Sequence, residues 1–174
     1  EGVTGEGCRP HGAFYRSYRA MPPINKKVIV GVDLSGSMRM AGCGVSGDGL
    51  MAAEGAAAMA LVIANQCVNG TGQAATMGFN TAALPLTIGP LHRLEAIARE
   101  IRQRATGGTD CSQPILWAAA NKLAVDAIVI ITDGETWAGA VHPIEAMDFY
   151  RREMHVPHAK LAVLAIAANS WTFW

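Results

Sequence analysis

Five side chains in three short motifs carry the oxygen atoms with which this chain could do chemistry. Asp33-x-Ser35-x-Ser37 supplies a carboxylate and two hydroxyls, Thr109 a third hydroxyl, and Asp133 a second carboxylate. All are hard donors. Such a set suits Mg²⁺, which prefers octahedral oxygen coordination and keeps several waters, with Mn²⁺ or Ca²⁺ as alternatives. Ser and Thr hydroxyls are neutral, so an ion held mainly by hydroxyls and water stays electron-poor. It then favours an outside carboxylate or phosphate as its last ligand. The chemistry predicted is binding, with the cation as the link to an acidic group on a partner. Asp110 and Glu135 adjoin the set. They read either as an outer acidic collar that draws the cation in, or as loop and helix N-terminal charges.

A site assembled from three loops needs elements that bring the loops together. Residues 28–32 are apolar and β-branched, the mark of a strand buried on both faces, and they run directly into Asp33. Residues 127–131 repeat the pattern and end at Thr132-Asp133-Gly134-Glu135. Between them, residues 50–67 predict a buried helix and 74–79 a second strand. Residues 82–86 predict an antiparallel edge strand after the tight Asn80-Thr81 link. Residues 91–104 predict an amphipathic helix with Leu94, Ile97, Ala98 and Ile101 inward. Ser112 is the expected N-cap of a helix reaching residue 123, with Pro114 in its first turn. Pro143 opens a helix to residue 154, residues 160–167 form the last strand, and residues 13–19 form a short helix ahead of the first. Alternation of this kind predicts the α/β class: a doubly wound, mostly parallel central sheet with one antiparallel edge strand and helices on both faces. Such folds hold ligands at the carboxyl ends of their strands.

Composition narrows the function classes. The 174 residues suit one domain, and 51% apolar content allows a sizeable core. Formal net charge is zero, so bulk charge gives nucleic acid no support. Cys8, Cys43, Cys67 and Cys111 are scattered without a Cys-x-x-Cys, which disfavours a zinc ribbon and suits a reducing, cytoplasmic setting. The Gly-rich N-terminus lacks an apolar leader core. The uncharged stretch from residue 55 to 92 is broken by Asn65, Gln66 and the polar turn at 69–73, so no membrane span is expected. His142, His155 and His158 lack partners at ligand spacing and read as structural or surface residues. Asp48 reads as a helix cap, Cys111 as a small buried residue, and Arg99, Arg102 and Arg104 as a solvated helix face.

The motif order Asp33-x-Ser35-x-Ser37, Thr109, Asp133 resembles the von Willebrand factor A (vWA) domain and its metal-ion-dependent adhesion site (MIDAS). The resemblance runs from about residue 28 to residue 168. A narrower one is to the C-terminal A domain of Ro autoantigen (TROVE) proteins. It is carried by Ala13-Phe14-Tyr15, Asp33-Leu34-Ser35-Gly36-Ser37-Met38, Gly107-Gly108-Thr109-Asp110-Cys111, Thr132 to Gly139, and His142-Pro143. Tyr150-Arg151 and Lys160-Leu161 continue it. The resemblance implies that Ser35 and Ser37 contact the metal directly, and Thr109 directly or through water. It implies that Asp33 and Asp133 act mainly through water or by bonding the hydroxyls. It also implies a protein partner at the metal, and RNA only indirectly, through a ring of helical repeats that is not seen ahead of the A domain here. Residues 1–23 are then an N-terminal extension and residues 24–174 the A domain. A full A domain usually continues with a further strand and helix, so a truncated C-terminus is expected, with Trp171, Phe173 and Trp174 as uncovered apolar surface.

Two other functions would draw on the same residues. A haloacid-dehalogenase-like phosphatase needs Asp-x-Asp after the first strand, and position 35 is Ser. There is no phosphate-binding Gly-x-x-x-x-Gly-Lys loop, and no general base is paired with Ser35 or Ser37, so no enzyme activity is expected. A vWA subunit assisting a metal chelatase or another AAA-type complex would share the site, but the segment 136–143 favours the Ro-type domain. The expectation is a divalent-metal-dependent docking module of a Ro-type RNA-protein particle.

Overall fold

The computed structural model describes residues 14–16, 20–40, 51–134 and 138–166. Its five strands lie in the order β3-β2-β1-β4-β5. β1 (Lys27–Asp33) sits between β2 (Gln73–Phe79) and β4 (Ala127–Thr132), parallel to both. β5 (Lys160–Ala165) extends the sheet in parallel beyond β4, and β3 (Ala83–Leu84) closes the other edge antiparallel to β2. The doubly wound α/β fold expected from the alternation is the fold observed.

β1 is buried on both faces because its neighbours alternate across the sheet. Val28, Val30 and Val32 join one core with α1 (Ala52–Asn69) and α2 (Leu94–Arg104). Ile29 joins the other with α3 (Gln113–Ala120) and α4 (Pro143–Glu153). The Ala-rich α1 combines the best helix former with the smallest side chain, so it lies close on the sheet. Its first turn is closed by Glu54, whose Oε2 accepts the Met51 N–H at 3.1 Å. Glu54 Oε1 also takes Arg102 Nη1 at 3.1 Å. Arg102 is therefore half-buried and ties α2 to α1, where a solvated face was expected.

Element ends differ from expectation for identifiable reasons. α2 starts at Leu94, because Leu91 is fully exposed and the Leu94 N–H is taken by the Tyr15 hydroxyl at 2.9 Å. Of the short helix expected over residues 13–19, residues 14–16 are helical and the others lie outside the described residues. β3 stops after two residues because Pro85 brings no N–H to the ladder. The Thr76 hydroxyl takes over, donating to Leu86 O at 3.0 Å and accepting the Ile88 N–H at 2.8 Å. α3 ends at Ala120, short of residue 123, where Lys122 turns left-handed with φ 53°. Gly31 lets α3 settle on β1, since a Cβ there would lie 2.5 Å from Pro114 Cγ. That contact fixes the start of α3 close to the end of β1. Asp48, Cys8, Cys43 and the C-terminal Trp171, Phe173 and Trp174 lie outside the described residues.

Candidate metal centre

Val32 on β1 is paired with Ile131 on β4, so Asp33 and Thr132 leave the sheet side by side. The helices that follow these strands, α1 and α4, pack on opposite faces. Their carboxyl ends therefore bound the crevice where a doubly wound sheet binds ligands. Asp33 is wholly buried there. Its Oδ1 accepts the Ser35 N–H at 2.7 Å and its Oδ2 accepts the Thr132 hydroxyl at 2.6 Å. A 3₁₀ turn, Gly36–Arg39, then bends the chain so that Ser35 Oγ and Ser37 Oγ lie 3.0 Å apart. Ser35 is buried and Ser37 only half-buried, which opens the pair to solvent on the Ser37 side.

Backbone bonds bring the other two loops to this point. The Gly36 N–H donates to Gly107 O at 3.0 Å and the Thr106 N–H to Leu34 O at 2.8 Å. Thr109 is buried, and its carbonyl accepts the Ala138 N–H at 2.9 Å, which joins the second loop to the third. Asp133 is also buried, and its Oδ1 has no hydrogen-bond partner among the described residues. Such an orphaned acceptor costs about 1–3 kcal/mol.

Charge makes the crevice a poor place for two bare carboxylates. Burial pushes the Asp33 carboxyl up to about 6 from 3.8. Bonds from Thr132 and Ser35 oppose the rise, and the negative charge of Asp133 adds to it. A small hard cation would answer both the orphaned oxygen and the repulsion, so the residues fit such an ion. Among the described residues no three His, Cys, Asp or Glu side chains converge. The ion would rest on hydroxyls and water with two carboxylates behind them.

The two outer candidates part company. Asp110 does not stand at a rim: it is buried. Its Oδ1 accepts the Ser112 N–H at 2.9 Å and the Ser112 hydroxyl at 2.6 Å, and its Oδ2 accepts Gln113 Nε2 at 2.8 Å. Asp110 thus holds Ser112, which is the N-cap residue of α3 as expected, although its own side chain makes no capping bond to the helix. Gly139, at φ 115°, packs against that carboxylate, where a Cβ would come within 2.5 Å of Oδ1. Glu135 lies outside the described residues.

Residues 27–174 match the family model of the Ro60 vWA domain. The chain belongs to the Ro60 vWA domain family. It is similar to the RNA-binding protein RO60 of Deinococcus radiodurans, 40% identical over 163 residues, which are 92% of this chain and 29% of that protein. It is 30% identical over 159 residues to the RNA-binding protein RO60 of Caenorhabditis elegans, covering 91% of this chain and 24% of that one. The crystal structure of the Deinococcus radiodurans RO (RSR) protein superposes with a TM-score of 0.75 at 36% identity, over 93% of this chain and 32% of that chain. The chain thus spans less than a third of the length of these relatives.

Two positioning residues of this Ro60-type A domain escaped the sequence reading. Thr132 was read only as part of the third loop, yet its hydroxyl holds Asp33. The available signal was a lone hydroxyl ending an otherwise apolar strand. Asn80, at the end of β2, accepts the Asp110 N–H on its carbonyl at 2.9 Å and donates from Nδ2 to Thr106 O at 3.1 Å. It braces the Thr109 loop, and nothing in the sequence marks it apart from other turn asparagines. His142 has the structural role expected, with Nδ1 accepting the Ile144 N–H at 3.3 Å to cap α4. Cys67 and Cys111 are buried and free of disulfide. Among the described residues no helix is long and apolar enough to cross a membrane.

Proposed function

We propose that this domain is a divalent-cation-dependent docking module in a Ro-type RNA-protein particle, and that it takes an acidic group of a protein partner through the ion. Mg²⁺ is the favoured cation, with Mn²⁺ or Ca²⁺ as substitutes. The observation that carries the reading is Asp133 Oδ1, a buried carboxylate oxygen with no partner among the described residues, in the field of a second buried carboxylate, Asp33. Ser35 and Ser37 would hold the ion directly and Thr109 directly or through water. Asp33 and Asp133 would orient those ligands. The bound ion would supply a Lewis-acidic position for an outside carboxylate. Cys67 and Cys111, which form no disulfide, suit a reducing, cytoplasmic setting.

The module is proposed to bind, without catalysis. The Ser35 hydroxyl meets the Ser37 hydroxyl at 3.0 Å and the Asp33 carboxylate, and neither hydroxyl is paired with a histidine or lysine among the described residues. The chelatase-subunit reading has no observation in its favour, since both named relatives are RNA-binding proteins. Calorimetric titration with MnCl₂ tests the proposal. One site is expected in the 174-residue chain and none in Asp33→Ala. Equal binding by the two proteins, or none by either, would overturn it.

A further inference from the structure

The opposite edge of the sheet, where the strands begin, carries a groove of different character. Three hollows of about 350, 420 and 570 Å³ run across it. Lys27 and Lys122 line the first, His155 and His158 the second, and Arg151 and Arg152 the third. The first two share Lys27 and Val125, and the last two share His155 and Pro157, so they form one continuous surface. Six of the chain's 14 lysines and arginines stand at this edge: the four just named with Lys26 and Lys160. Asp126 and Asp148 line the same hollows. Asp126 is paired with Lys26 at 3.5 Å and Asp148 with Arg151 at 3.1 Å. Lys122, Arg152, His155, His158 and Lys160 make no side-chain hydrogen bond or ion pair among the described residues.

Compensation of helix dipoles accounts for only part of this. Cations favour helix C-termini, and Lys122 and His155 follow α3 and α4. Lys27, His158 and Lys160 lie at strand starts and have no helix end to neutralise. Backbone geometry adds a second observation. Lys122 at φ 53° and His155 at φ 54° are the only non-glycine residues with positive φ among the described residues. Glycine takes this place after a helix without steric cost. Both positions instead hold side chains that line the groove, and strained backbone of this kind gathers at functional surfaces.

We propose that this groove binds a single-stranded segment of RNA through its phosphates. The inference rests on the reading of the domain as part of an RNA-protein particle, though not on the metal centre. Cations strung along three hollows match the repeated charges of a strand, whereas a lone phosphate would need donors converging on one point. The two imidazoles and Pro157 offer flat faces for bases. The chain's zero net charge conceals the surface, because Asp33, Asp110 and Asp133 collect at the far edge.

Fluorescence anisotropy of a fluorescein-labelled oligouridylate, titrated with the 174-residue chain in EDTA at about 50 mM salt, tests this. Micromolar affinity is expected, falling steeply with added salt. Lys122→Gly and Arg152→Gln should each weaken binding about 3- to 10-fold and flatten the log–log salt slope by about 0.7. Lys122→Gly suits its backbone, so a retained melting transition separates lost binding from lost folding. Arg99→Gln, on the outer face of α2, should change nothing. EDTA holds the metal centre out of the measurement throughout, so failure of the metal reading would be seen separately. No anisotropy change at low salt, or equal weakening by Arg99→Gln, would overturn the proposal. Tighter binding of labelled polyglutamate would assign the groove to an acidic protein and also overturn it.

Discussion

The two edges of one sheet are built on opposite physical terms. At the carboxyl edge Asp33, Asp133, Ser35 and Thr109 are buried, Asp33 is held by hydrogen bonds of 2.6 and 2.7 Å, and one Asp133 oxygen has no partner among the described residues. At the amino edge, cations stand in solvent with few partners. Burial makes the first edge selective. Each buried oxygen there must be satisfied, and a compact cation would satisfy the one left over. Exposure makes the second edge permissive, since solvated charges attract any polyanion and yield to salt. A domain with both could hold a protein by one edge and a nucleic acid by the other.

The comparison breaks most sharply at Asp33. Asp33→Ala removes the acceptor of the Ser35 N–H and the Thr132 hydroxyl. Calorimetry should find Mn²⁺ affinity reduced about 100-fold, because ligand orientation and local negative charge go together. Oligouridylate binding should be unchanged in the same protein.

Acidity should act on one edge through a defined group. Asp33 is raised to about 6 from 3.8, so its ionisation is less favourable in the folded chain than in the unfolded one. Its contribution to stability is full below about 3.8 and is lost as pH rises through 6. In EDTA, acidification from pH 7 towards 4 should therefore stabilise the protein through this group by up to about 3 kcal/mol. Saturating Mg²⁺ should raise the melting temperature at pH 7 and much less at pH 5, where protons compete at Asp33. Thermal melts across that range, with and without Mg²⁺, would show a pH-independent shift if Asp33 is not linked to the ion.

Thr132→Val sharpens the role of a residue behind the site. Losing its 2.6 Å bond should weaken Mn²⁺ binding about 10-fold, with a stability cost of about 1 kcal/mol. Calorimetry and urea unfolding measure the two effects, and wild-type affinity would show that Asp33 needs no such support. The smallest effect belongs to the other edge. Lys122→Gly should raise stability by up to about 1 kcal/mol, because glycine accepts the left-handed backbone. A loss of stability in the same urea experiment would mean that the lysine side chain anchors the end of α3.

The two edges also differ in how far they could be read in advance. The strand runs ending at Asp33 and Asp133 betrayed themselves by β-branched residues and by the polar groups that break the run. Thr132 lies within the same run, but a hydroxyl at a strand end does not say which carboxylate it meets. Asp110 read either as a collar residue or as a helix N-terminal charge, because it adjoins both Thr109 and the start of α3. The turn into α3 carries it inward to Ser112 and Gln113 instead. Arg102 looked solvated because helix periodicity cannot reveal that Glu54 on another helix lies within reach.

By itself the sequence determined the doubly wound alternation, the buried first strand and the hydroxyl-rich motif at its end. These are local facts, written in side-chain period and in residue type at strand ends. Only the tertiary structure decided that an Asp133 oxygen lacks a partner among the described residues, that Asp110 turns inward to hold Ser112, and that cations from residues 27 to 158 line one groove. Pairing register and helix placement set those relations between residues up to a hundred or more positions apart, and neither is contained in any one stretch of chain.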